Sequence, residues 1–559
     1  MNERLRFGTF FLIIFALLFF LGRARLPVAF PFWGWVYWRD AYGTMFHYVV
    51  SGPNPVTAVV QAILGHQEGP LQFILMNAYC YTIGDIFPLN PSTMQFPNTI
   101  FAFLACVFAF LLGRKLFSDK LAYCLVLIFA LSPWLAFTLR VPWYFNTMSC
   151  LLHFAVFYFF AALMTHPGSR SYQAAAPVTL FFYIWTGMDW PMFFLVLGVF
   201  FLLSREWRTV LWNPFNLLPL AAVAILAVWS AALYLKLGTE AFMYSRLIYP
   251  FFKLTSQTQV FQWSTAWEYT LLPSGAHLLL AIVGITGYLY QRRKPSSLSP
   301  IAKAFLDSMC LWFLLATPML FSSSGDPTYL YVTGMPSAVF GAFILARLRP
   351  APLTASVLVM LSLQLLFIFG PHFLGPVDQK RRVLAAACFL IEQRPDLLKE
   401  GKRHMATGDP FVTRNGEHGA AVSGYARSRA MPLIMPLDSP VSRNPTYLPA
   451  VRSFVDDYIQ KGVIDADWLI LESEALSKTN IGRDFFLKLL NDPNVRWLAR
   501  FREATGQAIY IGEVKKSGAA AINEAPDMDV KELSDRYEAK YDRISYLKRN
   551  VPFNWPRRS

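Results

Sequence analysis

About eleven long apolar runs limit what this chain can fold into more than any motif does. They cover roughly residues 7–21, 97–113, 121–138, 147–164, 174–188, 190–204, 216–235, 275–290, 304–321, 330–346 and 352–370. Each approaches the ~17–25 residues that a helix needs to cross the hydrocarbon of a bilayer. In lipid the backbone must satisfy its own hydrogen bonds, so such runs become helices. The sequence predicts a polytopic α-helical membrane protein of about eleven transmembrane helices. Composition agrees, with 55% hydrophobic, 16% aromatic and only 15% charged residues.

Charge orients the helices. The net charge is +15, but Lys and Arg cluster at the ends of apolar runs rather than in an aromatic-interleaved patch, which argues against nucleic acid as a partner. Arg4 and Arg6, Arg114 to Lys120, Arg170, Arg205 and Arg208, Arg292 to Lys294, and Arg347 and Arg349 fall at every second junction. That side is cytoplasmic by the positive-inside rule, which also puts the N-terminus inside. The first run is followed by Gly22-Arg23-Ala24-Arg25 instead of a small-residue cleavage site, so it reads as a retained span. Six cysteines make no disulfide framework; Cys106, Cys124, Cys150 and Cys310 lie inside apolar runs as small hydrophobes.

The layout that follows is a transmembrane domain over 1–371 with an outward first loop at 23–96. A small soluble α/β domain over 372–515 comes next on the extracytoplasmic side, with short strands expected at Trp468 to Leu471 and Ala508 to Glu513. A charged tail at 516–559 ends the chain and contains an amphipathic stretch from Val530 to Arg549.

The residues able to carry chemistry face outward. Asp40 follows Trp33, Trp35, Tyr37 and Trp38, a setting in which a partly desolvated carboxylate serves as a general base; a helix N-cap or an ion pair with Arg39 is the structural alternative. Glu68, with His66 two residues before it, is a second acid, a substrate-binding group or a ligand for a divalent cation, although His-x-Glu alone supplies few oxygen ligands. Arg140, at the outer end of the third run, suits either a lipid phosphate or a snorkelling position. Asp189 and Asp326 occupy outward turns. The loop from Lys236 to Pro273, with Tyr249 among several aromatics, suits the headgroup level of a membrane.

These pieces resemble the GT-C superfamily of polyprenyl-phosphate-sugar-dependent glycosyltransferases, in the branch of the protein mannosyltransferases and the lipid A aminoarabinose transferase. The matching stretches are Asp40 after the first span, HQEGPLQFIL, FPNTIFAFLACVFAFLLGRKLF, LSPWLAFTLRVPWYFNTM and DPTYLYVTGMPSAVFGA. Arg39-Asp40 stands where the family often has Asp-Glu, and Thr186-Gly-Met-Asp189 stands where it has Thr-Lys-Gly. The resemblance implies a GT-C-like fold and transfer of a hexosyl or pentosyl group from a polyprenyl-phosphate donor. The acceptor is a lipid, glycan or protein at the outer face of a bacterial inner membrane. Asp40 is the implied base; Arg39, His66, Glu68, Arg140, Tyr249, Tyr329 and Tyr331 are the implied substrate-binding residues. A divalent cation is the one cofactor to consider. A transporter or flippase of a lipid-linked glycan is the alternative, and such proteins place ionisable groups near the bilayer midplane.

Overall fold

The computed structural model describes residues 3–23, 91–139, 145–186, 189–237, 272–293, 298–322, 330–348, 351–374, 378–399, 401–407, 431–434, 466–472, 489–502, 508–515 and 524–541, with isolated positions between them. The chain divides into two compact units, one made of Met1–Arg25 and Gln95–Leu374, the other containing everything described after Gly375.

The first unit is entirely helical among its described residues. Its main helices are α1 (Glu3–Arg23), α2 (Pro91–Leu116), α3 (Asp119–Ala130), α4 (Pro133–Thr138), α5 (Phe145–Thr165), α6 (Arg170–Ile184), α7 (Trp190–Ser204), α8 (Leu217–Leu237), α9 (Leu272–Arg292), α10 (Pro300–Ser322), α11 (Leu330–Leu345) and α12 (Ala351–Leu374). A helix falls on every apolar run. The third run is broken into α3 and α4 because Pro133 lacks a backbone donor, and the Ser132 hydroxyl donates to the Phe129 carbonyl at 2.6 Å across the break. Among the described residues, five helices are long and apolar enough to cross a membrane, within α1, α2, α5, α8 and α10, and three shorter apolar helices accompany them. Leu12, Leu202, Val228 and Leu235 stand outward on these helices, each more than two-thirds exposed. Apolar surface of this extent is what lipid covers, and the protein is an integral membrane protein.

Small residues set the closest helix approaches, as lipid-embedded packing favours. A Cβ added at Gly113 of α2 would lie 2.8 Å from the Ala122 Cα of α3, and one at Gly284 of α9 would lie 2.2 Å from the Phe340 carbonyl oxygen of α11. Phe7, Phe11 and Phe15 of α1 interleave edge-on with Phe103 and Phe110 of α2. One end of the bundle is basic: Lys115 Nζ meets His166 Nδ1 at 3.1 Å, joining the α2–α3 and α5–α6 turns. At other turns of this kind, Arg292 pairs with Asp307 at 3.0 Å and the Arg347 guanidinium lies over the Phe343 ring.

The second unit is α/β. Its described strands are β1 (Arg403–Thr407), β2 (Met431–Ile434), β3 (Trp468–Glu472), β4 (Val495–Arg502) and β5 (Ala508–Val514), arranged β2-β1-β3-β5-β4. β1 runs parallel to β2 and β3, while β5 runs antiparallel to β3 and β4. Met405, Leu469, Leu471, Val495 and Trp497 form its core. Helix α13 (Asp378–Gln393) packs against β4 and β5. The amphipathic stretch within the charged tail forms α14 (Val530–Tyr541), which packs on α13: Glu392 accepts from Arg536 at 3.1 Å and from Lys540 at 2.8 Å. Arg394 joins the start of this unit to β5 through Glu513 at 3.0 Å and also binds Asp396.

Two outcomes follow. Gly284→Ala forces α9 and α11 apart and is expected to cost about 1–3 kcal/mol, read as a lowered thermal midpoint of the detergent-purified protein. The hydrogen bond from Arg394 holds the Asp396 carboxyl below its ordinary value. A carboxyl lowered in the folded state stabilises above its unfolded value, ~3.9, and loses that contribution as pH falls through the folded value. Amide protection factors in residues 394–398 and 508–514 of the full chain should fall below about pH 4, and Asp396→Asn should remove that increment.

Candidate functional site

One buried side chain ties helix ends of the bundle together. Asn98, in the second turn of α2, is 1% exposed. Its Nδ2 donates to the Thr138 carbonyl at the end of α4 at 3.1 Å, and its Oδ1 accepts from the Thr147 hydroxyl at the start of α5 at 3.4 Å. The end of α1 joins the same cluster: a Cβ at Gly22 would touch Thr99 Oγ1 at 3.0 Å and the Leu139 carbonyl at 3.4 Å. Gly22 and Asn98 flank the long first loop, while Thr138 and Thr147 flank the turn that holds Arg140. α4 also meets α11, the helix in whose first turn Tyr331 lies, because the Trp134 indole rests on Gly334, where a Cβ would come within 2.6 Å of the ring.

A second buried polar group closes the α6–α7 turn. Tyr183 of α6 donates to Asp189 Oδ1 at 2.7 Å, and His153 of α5 lies 3.1 Å from Asp189 Oδ2. All three are buried. Aromatic rings wall them in, with Phe193 stacked on His153 at 5.0 Å and Trp312 edge-on to it at 4.8 Å. Asp189, at the start of α7, thus ties α5, α6 and α7 at the turn that departs from the family pattern. His153 was not singled out from the sequence; the available signal was a histidine inside an apolar run, where an ionisable group needs a named partner.

Asp40, Arg39, His66, Glu68, Arg140, Tyr249 and Tyr329 lie outside the described residues, as does Asp326. Tyr331 lies in the helical backbone of α11. Among the described residues no group of three or more His, Cys, Asp or Glu side chains is placed to hold a metal ion; the two cation-ligand candidates, His66 and Glu68, are not among them.

The helices of the first unit, followed along the chain by a small mixed α/β unit, make a fold that a solved protein shares. It is the fold of ArnT from Cupriavidus metallidurans. The structure of that protein bound to undecaprenyl phosphate and its apo structure each match at a TM-score of 0.57 and 12% identity, over 91% of this chain and 98% of ArnT. An Archaeoglobus fulgidus oligosaccharyltransferase in the apo form gives a TM-score of 0.48 at 12% identity, over 91% of this chain and 75% of its own. No protein-family model and no curated protein sequence matches the chain.

Removing one member of a buried hydrogen-bonded pair takes a partner from the other with no solvent to replace it, a loss of about 1–3 kcal/mol. Asp189→Leu should therefore lower the thermal midpoint. The double variant with His153→Leu should lose less than the sum of the two single variants, since both members of the pair go together.

Proposed function

We propose that the protein is a membrane glycosyltransferase that moves a sugar from a polyprenyl-phosphate-linked donor to an acceptor hydroxyl at the outer face of a bacterial inner membrane. One observation carries the reading: the fold is shared, over nearly all of both chains, with ArnT, a protein solved with undecaprenyl phosphate bound. The Asn98 cluster supports it from within, since it gathers the helix ends that flank the loop of Asp40 and the turn of Arg140. The N-terminus is on the cytoplasmic side, the chain crosses the membrane about eleven times, and the C-terminal domain is extracytoplasmic. The transport reading draws no comparable support.

In the proposed reaction Asp40 takes the proton of the acceptor hydroxyl as its oxygen attacks the anomeric carbon of the donor. The bond from that carbon to the phosphate oxygen breaks, and the electron pair leaves with the polyprenyl phosphate. Arg140 faces the charge that develops on that phosphate, where a bidentate guanidinium is worth most. Arg39, His66, Glu68, Tyr329 and Tyr331 hold the donor and acceptor headgroups, and Tyr249 lies along the lipid chain. A divalent cation, if the reaction uses one, falls to His66 and Glu68 in this scheme; it would neutralise phosphate charge. The transferred sugar is a hexosyl or pentosyl group, and the acceptor a lipid, glycan or protein.

The test is sugar transfer in nanodiscs with polyprenyl-phosphate sugars and candidate acceptors. Asp40→Asn should lower kcat by about 10²–10⁴-fold, the usual contribution of a general base. Arg140→Ala should lower kcat and kcat/KM by roughly tenfold or more, the weight of a charge-assisted hydrogen bond that strengthens as charge develops on the leaving phosphate. Full transfer by a well-folded Asp40→Asn protein would remove the base assignment. Loss of transfer on adding a chelator, restored by a divalent cation, would establish the metal.

A further inference from the structure

A cavity opens beneath Trp134, where α3, α4, α9 and α11 meet. It is lined by Ser132, Trp134, Ser274, His277, Thr333 and Ser337 among apolar neighbours and has about the room that one water-sized group needs. Its polar groups are buried: His277 is 5% exposed, Ser274 4% and Ser337 6%. His277 faces the Ile128 carbonyl without a well-formed hydrogen bond to it, and the Ser274 and Ser337 hydroxyls have no hydrogen-bond partner. The site lies in the first turns of α9 and α11, next to the helix that leads to Arg140.

A buried hydroxyl or imidazole without a partner is costly, and here three such side chains line one small cavity. The chemistry of the lining defines what would satisfy them. Among the described residues no Lys or Arg lines the cavity to neutralise an anion, and no carboxylate lines it to hold a cation. An apolar chain would leave every one of the three groups unpaired. A neutral imidazole both donates and accepts, as does each serine hydroxyl, so the matching ligand is a neutral group that also does both.

We propose that this cavity is a receptor for one neutral hydroxyl, bridging His277, Ser274 and Ser337. That hydroxyl is either a solvent water or a hydroxyl of the transferred sugar or the acceptor. The second source rests on the glycosyltransferase reading; the first does not.

The sign of a mild substitution tests the receptor. In full-length protein in nanodiscs, Ser274→Ala and Ser337→Ala are compared with wild type by thermal unfolding without substrate, then by transfer kinetics. If water is bound at rest, each variant loses a made hydrogen bond and its midpoint falls. If the hydroxyl is carried by substrate, the midpoint rises, because an unsatisfied buried group is removed. In that case KM for one substrate rises about tenfold at unchanged kcat, and a deoxy analogue lacking the bound hydroxyl is insensitive to the substitution. A raised midpoint with KM unchanged for every substrate overturns the proposal. Should wild type transfer no sugar, the glycosyltransferase reading fails, and the sign of the midpoint change alone decides: a fall upholds the receptor, a rise overturns it.

Discussion

A buried primary amide has donors and acceptors to satisfy and no water to satisfy them. Asn98 meets that demand by reaching a carbonyl on α4 and a hydroxyl on α5, forty and forty-nine residues away along the chain. Each bond constrains a helix end rather than a helix middle. Because Gly22 of α1 lies against the neighbouring Thr99 and Leu139, the ends of α1, α2, α4 and α5 meet in one cluster. The proposed site residues Asp40 and Arg140 lie in segments of the sequence that begin and end at these helix ends.

The rest of the bundle places its polar side chains sparingly, and each has a structural consequence. Asp189, His153 and Tyr183 close the α6–α7 turn inside an aromatic box. Lys115 with His166, and Arg292 with Asp307, hold turns at the basic end. Between these ends the packing is small-residue and aromatic, which is the form of helix association available when lipid is as apolar as the side chains themselves.

Much of the architecture was legible because helix length and apolar composition are properties of contiguous sequence. Every apolar run became a helix, and Pro133 splits one of them for the reason its missing donor dictates. The strands of the second unit were less legible. Strands at Trp468 to Leu471 and Ala508 to Glu513 were expected and form as β3 and β5; β4 was not singled out, although Val495, Trp497, Ala499 and Phe501 alternate with Arg496, Arg500 and Arg502 as a half-buried strand does. β1 and β2 are short and become strands by pairing with each other and with β3. The site divides in the same way. Asp40 and Arg140 were singled out from charge topology and resemblance, and both lie outside the described residues. Asn98, His153 and His277 are single polar residues in apolar runs, and their partners or cavity are brought to them only by helix packing.

The central claim is that the Asn98 cluster sets the geometry of a sugar-transferring site built from the segments that begin and end at it. It is tested most directly by the kcat of sugar transfer for Asn98→Leu, which keeps the side-chain bulk and removes the hydrogen bonds to Thr138 and Thr147, in protein shown to be monodisperse with a cooperative thermal transition. The account predicts a large fall in kcat with the fold retained, because the reacting groups lose their alignment without leaving the protein. Transfer at the wild-type rate would contradict it.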